Sequence, residues 1–478
     1  MHCLILLPDG IGIRNFIISQ FPQALQEMGV ERITVGHALP DENLLPIDGH
    51  PGIRWVKLPA HREGHLPFIF RRAKQIAQLY WQRSFVPGTD VILRGFTTRR
   101  KGLVGVRAAL ANSLGRAFSG GHQGVRALND LHMKTVTRAR YFSQYLQLLS
   151  REKPDVVFCS HQRSEFAVPC MLAAKRLGIP TATFIYSWDN LPKGRMAVHA
   201  DYYLVWSEHM RAEMHTYYPD VSDDHIYVIG TPQFEHYFNP TLIEPRVDFL
   251  GRYGLDPLRP VVCYSGDDLT TSPHDQDYLA DLAHAMRQIS ADERPQILFR
   301  RNPTDTQDRY RRGLDEYSEI VDAAPQWVKL ADNDWSKVVP SREDLCLLVN
   351  TVAHCDLVIN VGSTMAVDFA VLGKPAIYLA YNPKSRRENE KWHIDNVYRY
   401  PHFNPINNFD PVHWATSSEE LGSLVMRVLH NPEEKAKNRQ AWLEFLVRHP
   451  LDQANQRCAE ALVDIVDRDR ISEKKICI

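Results

Sequence analysis

The stretch HCDLVINVGSTMAVDFAVLGKPAIYLA, residues 354–380, decides the fold of this chain. Its apolar run over 356–360 is typical of a buried parallel strand. A turn of small residues, 361–364, follows, and a helical pattern then continues until Gly373. Glycine tolerates the left-handed conformation that ends a helix, and a second short apolar run follows at 376–379. Strand, turn, helix and strand in this order predict a parallel α/β sheet.

The turn in this stretch has two interpretations. Small residues between a strand and a helix leave backbone N–H groups, and the positive end of the helix dipole, at the carboxyl end of the strand, which suits a phosphate. Alternatively, Gly362-Ser363-Thr364 only caps the helix, with Ser363 or Thr364 as the N-cap. The stretch by itself does not decide between them.

The composition narrows the class of protein. At 478 residues and 44% hydrophobic content, the chain can bury two ordinary cores. A net charge of −1 provides no field that would recruit nucleic acid. Eight cysteines lack CxxC or metal-ligand spacing, which favours a reducing, cytosolic compartment. The sequence shows neither a signal peptide nor an apolar run long enough to cross a bilayer.

The start of the chain predicts a first doubly wound α/β domain. A helical pattern over 14–28 lies between runs with the character of strands, at 3–7, 32–36 and 53–58. The turn after the first strand should lie at the sheet edge where such domains bind ligands. Asp9 and Gly10 are therefore site candidates by position, although Asn15 stands where a dinucleotide fingerprint needs its third glycine.

Polar side chains follow the predicted strands at 155–159 and 181–186. They should gather at one rim of one sheet, and they are His161, Arg163, Glu165 and Asp189. Any one of them has an ordinary structural explanation: Asp189-Asn190 can form an Asx turn, and His161 can hydrogen-bond a loop. As a group they favour a functional site.

The segment from Val91 to Asn129 has no acidic residue and seven basic ones, at 94, 99, 100, 101, 107, 116 and 126. A possible helical face within it consists of Leu103, Val106, Leu110, Leu114 and Phe118. One interpretation is a basic amphipathic surface that meets anionic lipid or a polyanionic acceptor. The other is a solvated helix packed on the core, which is the commoner outcome for a lone basic helix.

A second α/β alternation begins after a Pro- and Gly-rich segment, 239–258, which we interpret as an interdomain connection. The predicted strand ends of this half bring small turns and arginines to one edge, as a pyrophosphate requires: Ser265, Gly266, Arg300, Arg301, Asn302 and the turn at 362–364. Asp368 either accepts hydrogen bonds from ribose hydroxyls or complements the helix dipole. Asp267-Asp268 reads as a turn rather than a metal-binding pair. A strand is also expected at 327–330.

Longer helical patterns complete the chain. They cover 131–152, 166–177 and three segments near the carboxyl terminus: 417–429, 432–446 and 451–466. The polar tail, 468–478, is expected to be disordered.

These motifs resemble the GT-B glycosyltransferases, and among them bacterial surface-polysaccharide and glycerophosphate-type transferases. The resemblance rests on residues 150–385, and it is carried by Gly362-Ser363-Thr364 with Asp368, by Gly373-Lys374-Pro375, by the turn at 300–303 and by the strand end at 228–232. Two departures are Asp368 in place of the usual Glu and Asn302 where many relatives have His. A second carboxylate that retaining enzymes carry is replaced by Asn360, which favours an inverting mechanism.

The resemblance implies two Rossmann-like doubly wound domains facing across a cleft. The expected organisation is an acceptor domain at 1–238, the connection at 239–258, a nucleotide-sugar domain at 259–440, and helices at 441–478 that cross back. Asp9, His161 and Asp189 are the candidate bases, ranked in that order, with Gly10, Arg163 and Glu165 on the acceptor side.

The resemblance further implies donor binding by the residues of the second edge and by the backbone of Gly362 to Met365. The expected partners are a nucleotide-sugar donor and a glycan or lipid-linked acceptor, with no obligatory metal or cofactor and no nucleic acid. The protein is expected in the cytoplasm, and the first interpretation of residues 91–129 would add a peripheral contact to anionic lipid at the inner face of the membrane. Alternatives are a nucleotide-sugar epimerase of the same fold and a non-catalytic scaffold that binds an anionic glycan.

Overall fold

The computed structural model describes residues 1–39, 52–97, 102–197, 199–305, 307–329 and 338–476. Its strands are β1 His2–Leu7, β2 Arg32–His37, β3 Ile53–Lys57, β4 Val156–Cys159, β5 Thr181–Phe184, β6 Tyr202–Val205, β7 Ile226–Val228, β8 Val261–Ser265, β9 Gln296–Arg300, β10 Ile320–Asp322, β11 Val328–Lys329, β12 Val338–Val339, β13 Leu357–Asn360, β14 Ala376–Leu379 and β15 His413–Ala415. Part of the strand expected at 327–330 lies outside the described residues.

The helices are α1 Gly10–Phe16, α2 Phe21–Glu27, α3 His65–Gln82, α4 Thr89–Thr97, α5 Gly102–Ala117, α6 His122–Thr137, α7 Phe142–Glu152, α8 Val168–Arg176, α9 Glu208–Tyr217, α10 Arg246–Arg252, α11 Asp275–Arg287, α12 Arg311–Glu316, α13 Arg342–His354, α14 Met365–Val371, α15 Ile394–Tyr398, α16 Ile406–Phe409, α17 Leu421–His430, α18 Ala436–Leu446 and α19 Ala454–Ile476. Short 3₁₀ turns connect several of them.

The chain divides into two compact units. Unit 1 comprises 1–232, 400–402 and 446–478, and unit 2 comprises 233–399 and 403–445. Each unit is built on a parallel sheet, as the α/β alternation predicts. A small antiparallel pair, β11 with β12, also forms in unit 2.

Unit 1 contains a seven-stranded parallel sheet in the order β3-β2-β1-β4-β5-β6-β7. Its inner strand β1 is buried along its whole length, because helices cover both faces of such a sheet and leave no polar side. The strand order reverses between β1 and β4, which pair directly, with Leu6 opposite Cys159. The crossover between β3 and β4 contains helices α3 to α7. This arrangement places the turn after β1 beside the turn after β4.

Unit 2 repeats this plan with six parallel strands in the order β10-β9-β8-β13-β14-β15. The order reverses between β8 and β13, where Ile359 lies opposite Tyr264. The turns that follow β8 and β13, after Ser265 and Asn360, therefore lie side by side. Ligands of open α/β sheets bind at this kind of reversal, at the carboxyl ends of the strands.

Two expected helices are each split in the structure. The pattern over 14–28 forms α1 and α2, because Pro22 lacks a backbone N–H and fits only the first turn of a new helix. The pattern over 131–152 is interrupted between α6 and α7. The reason is tertiary: α6 packs on α3, whereas α7 packs mainly on α8.

The expectation of a disordered tail from 468 is wrong as far as Ile476, where α19 ends. The first turns of α19 pack against α2. Farther along, Arg468 pairs with Asp464 at 2.7 Å and Arg470 with Asp155 at 3.0 Å. These ion pairs give the polar extension partners that its composition does not reveal.

Candidate functional site

The strand reversal of unit 1 brings Asp9 and His161 together. Asp9 is the N-cap of α1, and its Oδ1 atom accepts the N–H of Gly12 at 3.1 Å. Its Oδ2 atom accepts a hydrogen bond from Nδ1 of His161, which follows β4. The pairing needs a close approach of the two turns, since a Cβ on Gly12 would lie 2.5 Å from Oγ of Ser160.

The pair is held in a fixed orientation. The ring of Tyr186 stacks on the His161 ring, with centroids 4.0 Å apart and planes inclined by 20°. Nε2 of His161 is buried and has no hydrogen-bond partner among the described residues. Burial by itself would raise the pKa of the Asp9 carboxyl, but the charge and hydrogen bond of His161, the Gly12 N–H and Arg163 outweigh it and hold that pKa below its usual value. Asp9 is therefore an ionised acceptor, and His161 presents an unused ring nitrogen.

The carboxylate of Asp189, the third candidate base, is occupied by contacts with its own neighbours in the chain. It pairs with Lys193 and accepts a hydrogen bond at 2.6 Å from the side-chain Nδ2 of Asn190. Burial opposes ionisation, but the charges of Lys193 and His402 hold the pKa of Asp189 well below its usual value. A carboxylate held so firmly in its charged form is a weak base.

The acceptor-side candidates differ in exposure. Gly10 is buried as the first residue of α1. Glu165 is largely exposed and lies 3.8 Å from Arg71. Arg163 is half-buried and forms no ion pair or hydrogen bond within the described ranges, while its charge acts on both Asp9 and Asp189.

The strand reversal of unit 2 brings Asp267 to the turn that follows β13. The Val361 N–H donates to Oδ2 of Asp267 at 3.2 Å, across the β8–β13 boundary. Gly362 has φ +72, in the left-handed region, and a Cβ there would lie 2.8 Å from Cζ of Phe403. The turn therefore requires glycine for conformation and for space. The sequence does not single out Asp267, because Asp267-Asp268 has the composition of an ordinary turn.

Part of the turn's hydrogen-bonding capacity is used internally. The Ser363 N–H donates to Oδ1 of Asn360 at 2.8 Å, and the Met365 N–H reaches Oγ of Ser363 at 3.4 Å. Thr364 is the N-cap of α14 without a side-chain cap bond. The Gly362 N–H and Nδ2 of Asn360 have no hydrogen-bond partner within the described part of the chain. Two donors are thus unused within the chain, although Asn360 is fully buried and a ligand would have to displace neighbouring atoms to reach its Nδ2.

A buried acidic cluster supports this turn. Burial and the neighbouring charges of Asp275 and Asp268 raise the pKa of Asp267 well above its usual value. Burial likewise raises the pKa of Asp275 to about 6, against the opposing charge of Arg309. Tyr310 donates to Oδ2 of Asp275 at 2.8 Å. Raised pKa values reduce the negative charge that these carboxyls place beside the turn.

The other donor-side candidates are placed as follows. Arg300 is buried in an ion pair with Asp344, in which the single nitrogen Nη2 donates to both carboxylate oxygens, at 2.9 and 3.1 Å, so its charge has a structural partner. Arg301 is partly buried and pairs with Asp322 at 3.1 Å. Oδ1 of Asn302 accepts from Thr304, and Asp368 accepts from the Tyr237 hydroxyl at 2.7 Å.

Ser265 and Gly266 lie at the end of β8. Ser265 is buried, and the Gly266 N–H donates to the Arg300 carbonyl at 2.9 Å. A Cβ on Gly266 would lie 3.0 Å from the Tyr310 hydroxyl, so this strand end is tightly packed.

The described residues contain neither a cluster of metal ligands nor a membrane-spanning helix. No three His, Cys, Asp or Glu side chains in these ranges converge so that they could hold a metal ion. In the same ranges, no helix has the length and apolar character required to span a membrane.

Comparison with solved structures identifies the fold. The chain is similar to a UDP-GlcNAc 2-epimerase from Methanocaldococcus jannaschii, at 14% identity over 97% of this chain and 99% of that one, with a TM-score of 0.52. It is also similar to a glycosyltransferase from Rickettsia africae, at 12% identity over 98% of both chains and a TM-score of 0.51. A UDP-N-acetylglucosamine 2-epimerase matches at 11% identity over 97% of this chain and 95% of that one, with a TM-score of 0.53.

The chain therefore has the GT-B fold, and the expected fold class is confirmed. Proteins described as glycosyltransferases and as epimerases share this fold, so it does not determine the reaction. No family model matches the chain, and no curated protein matches its sequence at a significant level.

Proposed function

We propose that this chain is a cytoplasmic glycosyltransferase. It moves a sugar from a nucleotide-activated donor to a hydroxyl group of a glycan or lipid-linked acceptor in surface polysaccharide biosynthesis. The observation that carries the proposal is the Asp9–His161 pair, with its unused Nε2 atom at a strand reversal. Structures of the same fold whose names contain UDP-GlcNAc or UDP-N-acetylglucosamine support a nucleotide-sugar as the donor class.

His161 is the general base in this proposal, and Asp9 positions it. As the acceptor oxygen bonds to the anomeric carbon, the bond from that carbon to the donor phosphate breaks, and the hydroxyl proton passes to Nε2. Asp9 fixes the tautomer through Nδ1–H and stabilises the resulting imidazolium. Asp9 itself is poorly placed as the base, because both of its oxygens accept hydrogen bonds. Nε2 is covered by neighbouring atoms, so an acceptor must shift them as it binds.

Unit 2 is proposed to bind the diphosphate of the donor. The Gly362 N–H, Nδ2 of Asn360 and the guanidinium of Arg301 are the donors assigned to it. Hydrogen bonds aimed at the leaving phosphate stabilise the charge that develops there, and they can do so without a metal ion. A single displacement of this kind inverts the anomeric configuration.

The test is a reaction panel with the full-length chain. Nucleoside diphosphates are first screened for binding, and the matching nucleotide-sugars are then incubated with and without acceptor glycans. The proposal predicts release of the nucleoside diphosphate that depends on acceptor and falls in His161→Ala. Sugar epimerisation without acceptor would instead assign the epimerase reaction found among proteins of this fold. Nucleotide binding without either reaction would indicate a non-catalytic scaffold.

A further inference from the structure

Helix α5 buries small residues and exposes most of its large apolar ones, the reverse of the usual pattern. Its buried residues are small, namely Ala108, Ala111 and Gly115, and they face α3. The contact is close, because a Cβ on Gly115 would lie 2.6 Å from Cγ2 of Ile76. A helix of a soluble domain normally buries its large apolar side chains.

Leu114 packs partly against the core beside α3, but three other large apolar side chains of α5 point outward. Leu103 is 78% exposed, Val106 58% and Leu110 51%. Their spacing of three and four residues places them on one stripe, which we call the α5 face. Two more apolar residues are exposed: Val104, which lies in α5, and Phe118, which directly follows it. An apolar stripe of this kind on a surface indicates an interaction site.

The charge of this region determines the type of partner. Residues 91–129 include seven basic residues and no acidic one. The cations of α5, Arg107 and Arg116, contact His65 and the Tyr80 hydroxyl, at 3.4 and 2.7 Å, and no carboxylate among the described residues. They lie instead over the rings of Phe68 and Tyr80, at 5.0 and 5.4 Å. Arg99, Arg100 and Lys101 precede the helix in sequence but lie outside the described residues.

We propose that the α5 face, with Arg107 and Arg116, binds the surface of a bilayer that contains anionic lipid. Apolar side chains insert at the headgroup boundary while arginines meet the lipid phosphates, and the two contributions reinforce each other. A second copy of this chain would bring like charges together and is the less suitable occupant. This surface is independent of the transferase reaction, so either proposal can fail without the other.

The experiment is sedimentation of the full-length protein with vesicles. One set consists of phosphatidylcholine alone, and the other also contains phosphatidylglycerol. We expect binding to the anionic set only, with a steep decrease as salt is raised. The triple variant Leu103→Ser, Val106→Ser, Leu110→Ser should bind at least about tenfold more weakly. Arg107→Gln with Arg116→Gln should weaken the binding and reduce its salt dependence.

A matched triple variant provides the control. The control Leu258→Ser, Val247→Ser, Ile471→Ser replaces residues that are 92%, 58% and 56% exposed and that do not belong to α5, and it should bind vesicles like the wild type. Circular dichroism checks that every variant is folded. Equal binding to neutral and anionic vesicles, or loss of binding in the control triple, overturns the proposal. A wild-type dimer that the α5 triple converts to monomer, with no vesicle binding, assigns the face to a second copy and also overturns it.

Discussion

Nδ1 of His161 donates a hydrogen bond to Oδ2 of Asp9, although 152 positions separate the two residues in the chain. Because Asp9 holds the ring and Nε2 is the proposed proton acceptor, His161→Ala should lower turnover by about 10²–10⁴-fold and leave donor affinity unchanged. Asp9→Asn should also lower kcat with little change in donor binding, since it removes the carboxylate that orients the ring. Steady-state kinetics and calorimetric titration of the nucleotide measure the two effects.

His225→Ala is the control for this prediction. His225 is half-exposed and lies directly before β7, at the opposite end of the strands from the turns of Asp9 and His161. Its replacement should leave turnover unchanged. If His161→Ala and Asp9→Asn both turn over normally, the base lies elsewhere, and Asp189→Asn is the next variant to measure.

A second prediction concerns donor binding by the turn after β13. Gly362→Val should abolish nucleoside diphosphate binding, because the side chain would both strain a backbone at φ +72 and collide with Phe403. Binding is measured by calorimetry, and thermal unfolding records the accompanying loss of stability.

Gly373→Val is the control that separates the effect of backbone strain from damage to the proposed nucleotide site. Gly373 has nearly the same φ, +73, but a Cβ there meets nothing within 4 Å. This variant should lose stability and keep nucleotide affinity. Unchanged nucleotide affinity in Gly362→Val would contradict the assignment of this turn.

The two arginines after β9 should have separable roles. Arg300→Met leaves the Asp344 carboxylate buried without its cation, so the free energy of unfolding should fall by about 3–5 kcal/mol. Arg301→Ala should instead weaken nucleoside diphosphate binding by about 1.5–3 kcal/mol, the contribution of a charge-assisted hydrogen bond. Urea unfolding and calorimetry measure the two quantities. Equal effects of both variants on nucleotide affinity would show that the distinction is wrong.

Buried Lys74 predicts a dependence of stability on pH. Burial, aided by the charge of Arg71, lowers its pKa from 10.5 to about 7. Between these values the unfolded chain binds a proton that the folded chain does not, so this residue makes stability rise with pH from about 7 to 10.5. Lys74→Met should remove a slope of up to about 1.4 kcal/mol per pH unit in that window. Urea unfolding at a series of pH values measures it.

Lys437→Met is the matched control, because this lysine is exposed. It should leave the pH dependence of the unfolding free energy unchanged. A Lys74→Met variant with the slope of the wild type would show that Lys74 stays charged in the folded chain, held by its bonds to Asn129 at 3.1 Å and the Ala197 carbonyl at 2.8 Å.

Local patterns predicted the strands well. The continuous apolar runs of β1 and β13 are buried on both faces, and runs of this kind are specific to covered parallel sheets. Ser207 is an N-cap whose Oγ atom accepts the Met210 N–H at 3.2 Å, as its position before α9 predicts. The boundary between α6 and α7 was less predictable, because α6 packs on α3 and α7 mainly on α8, and no local pattern shows these partners. The break between α1 and α2, by contrast, follows from Pro22.

The sequence by itself determined that the chain forms two parallel α/β sheets with polar turns at their carboxyl edges, because burial and turn chemistry act over a few residues. Only the tertiary structure decided which turns are neighbours. The order of strands in a sheet joins β1 to β4 and β8 to β13, and long crossovers hide these pairings from any local pattern. For that reason the bond between Asp9 and His161, and the contact of Asp267 with the Val361 N–H, could be found only in the folded chain.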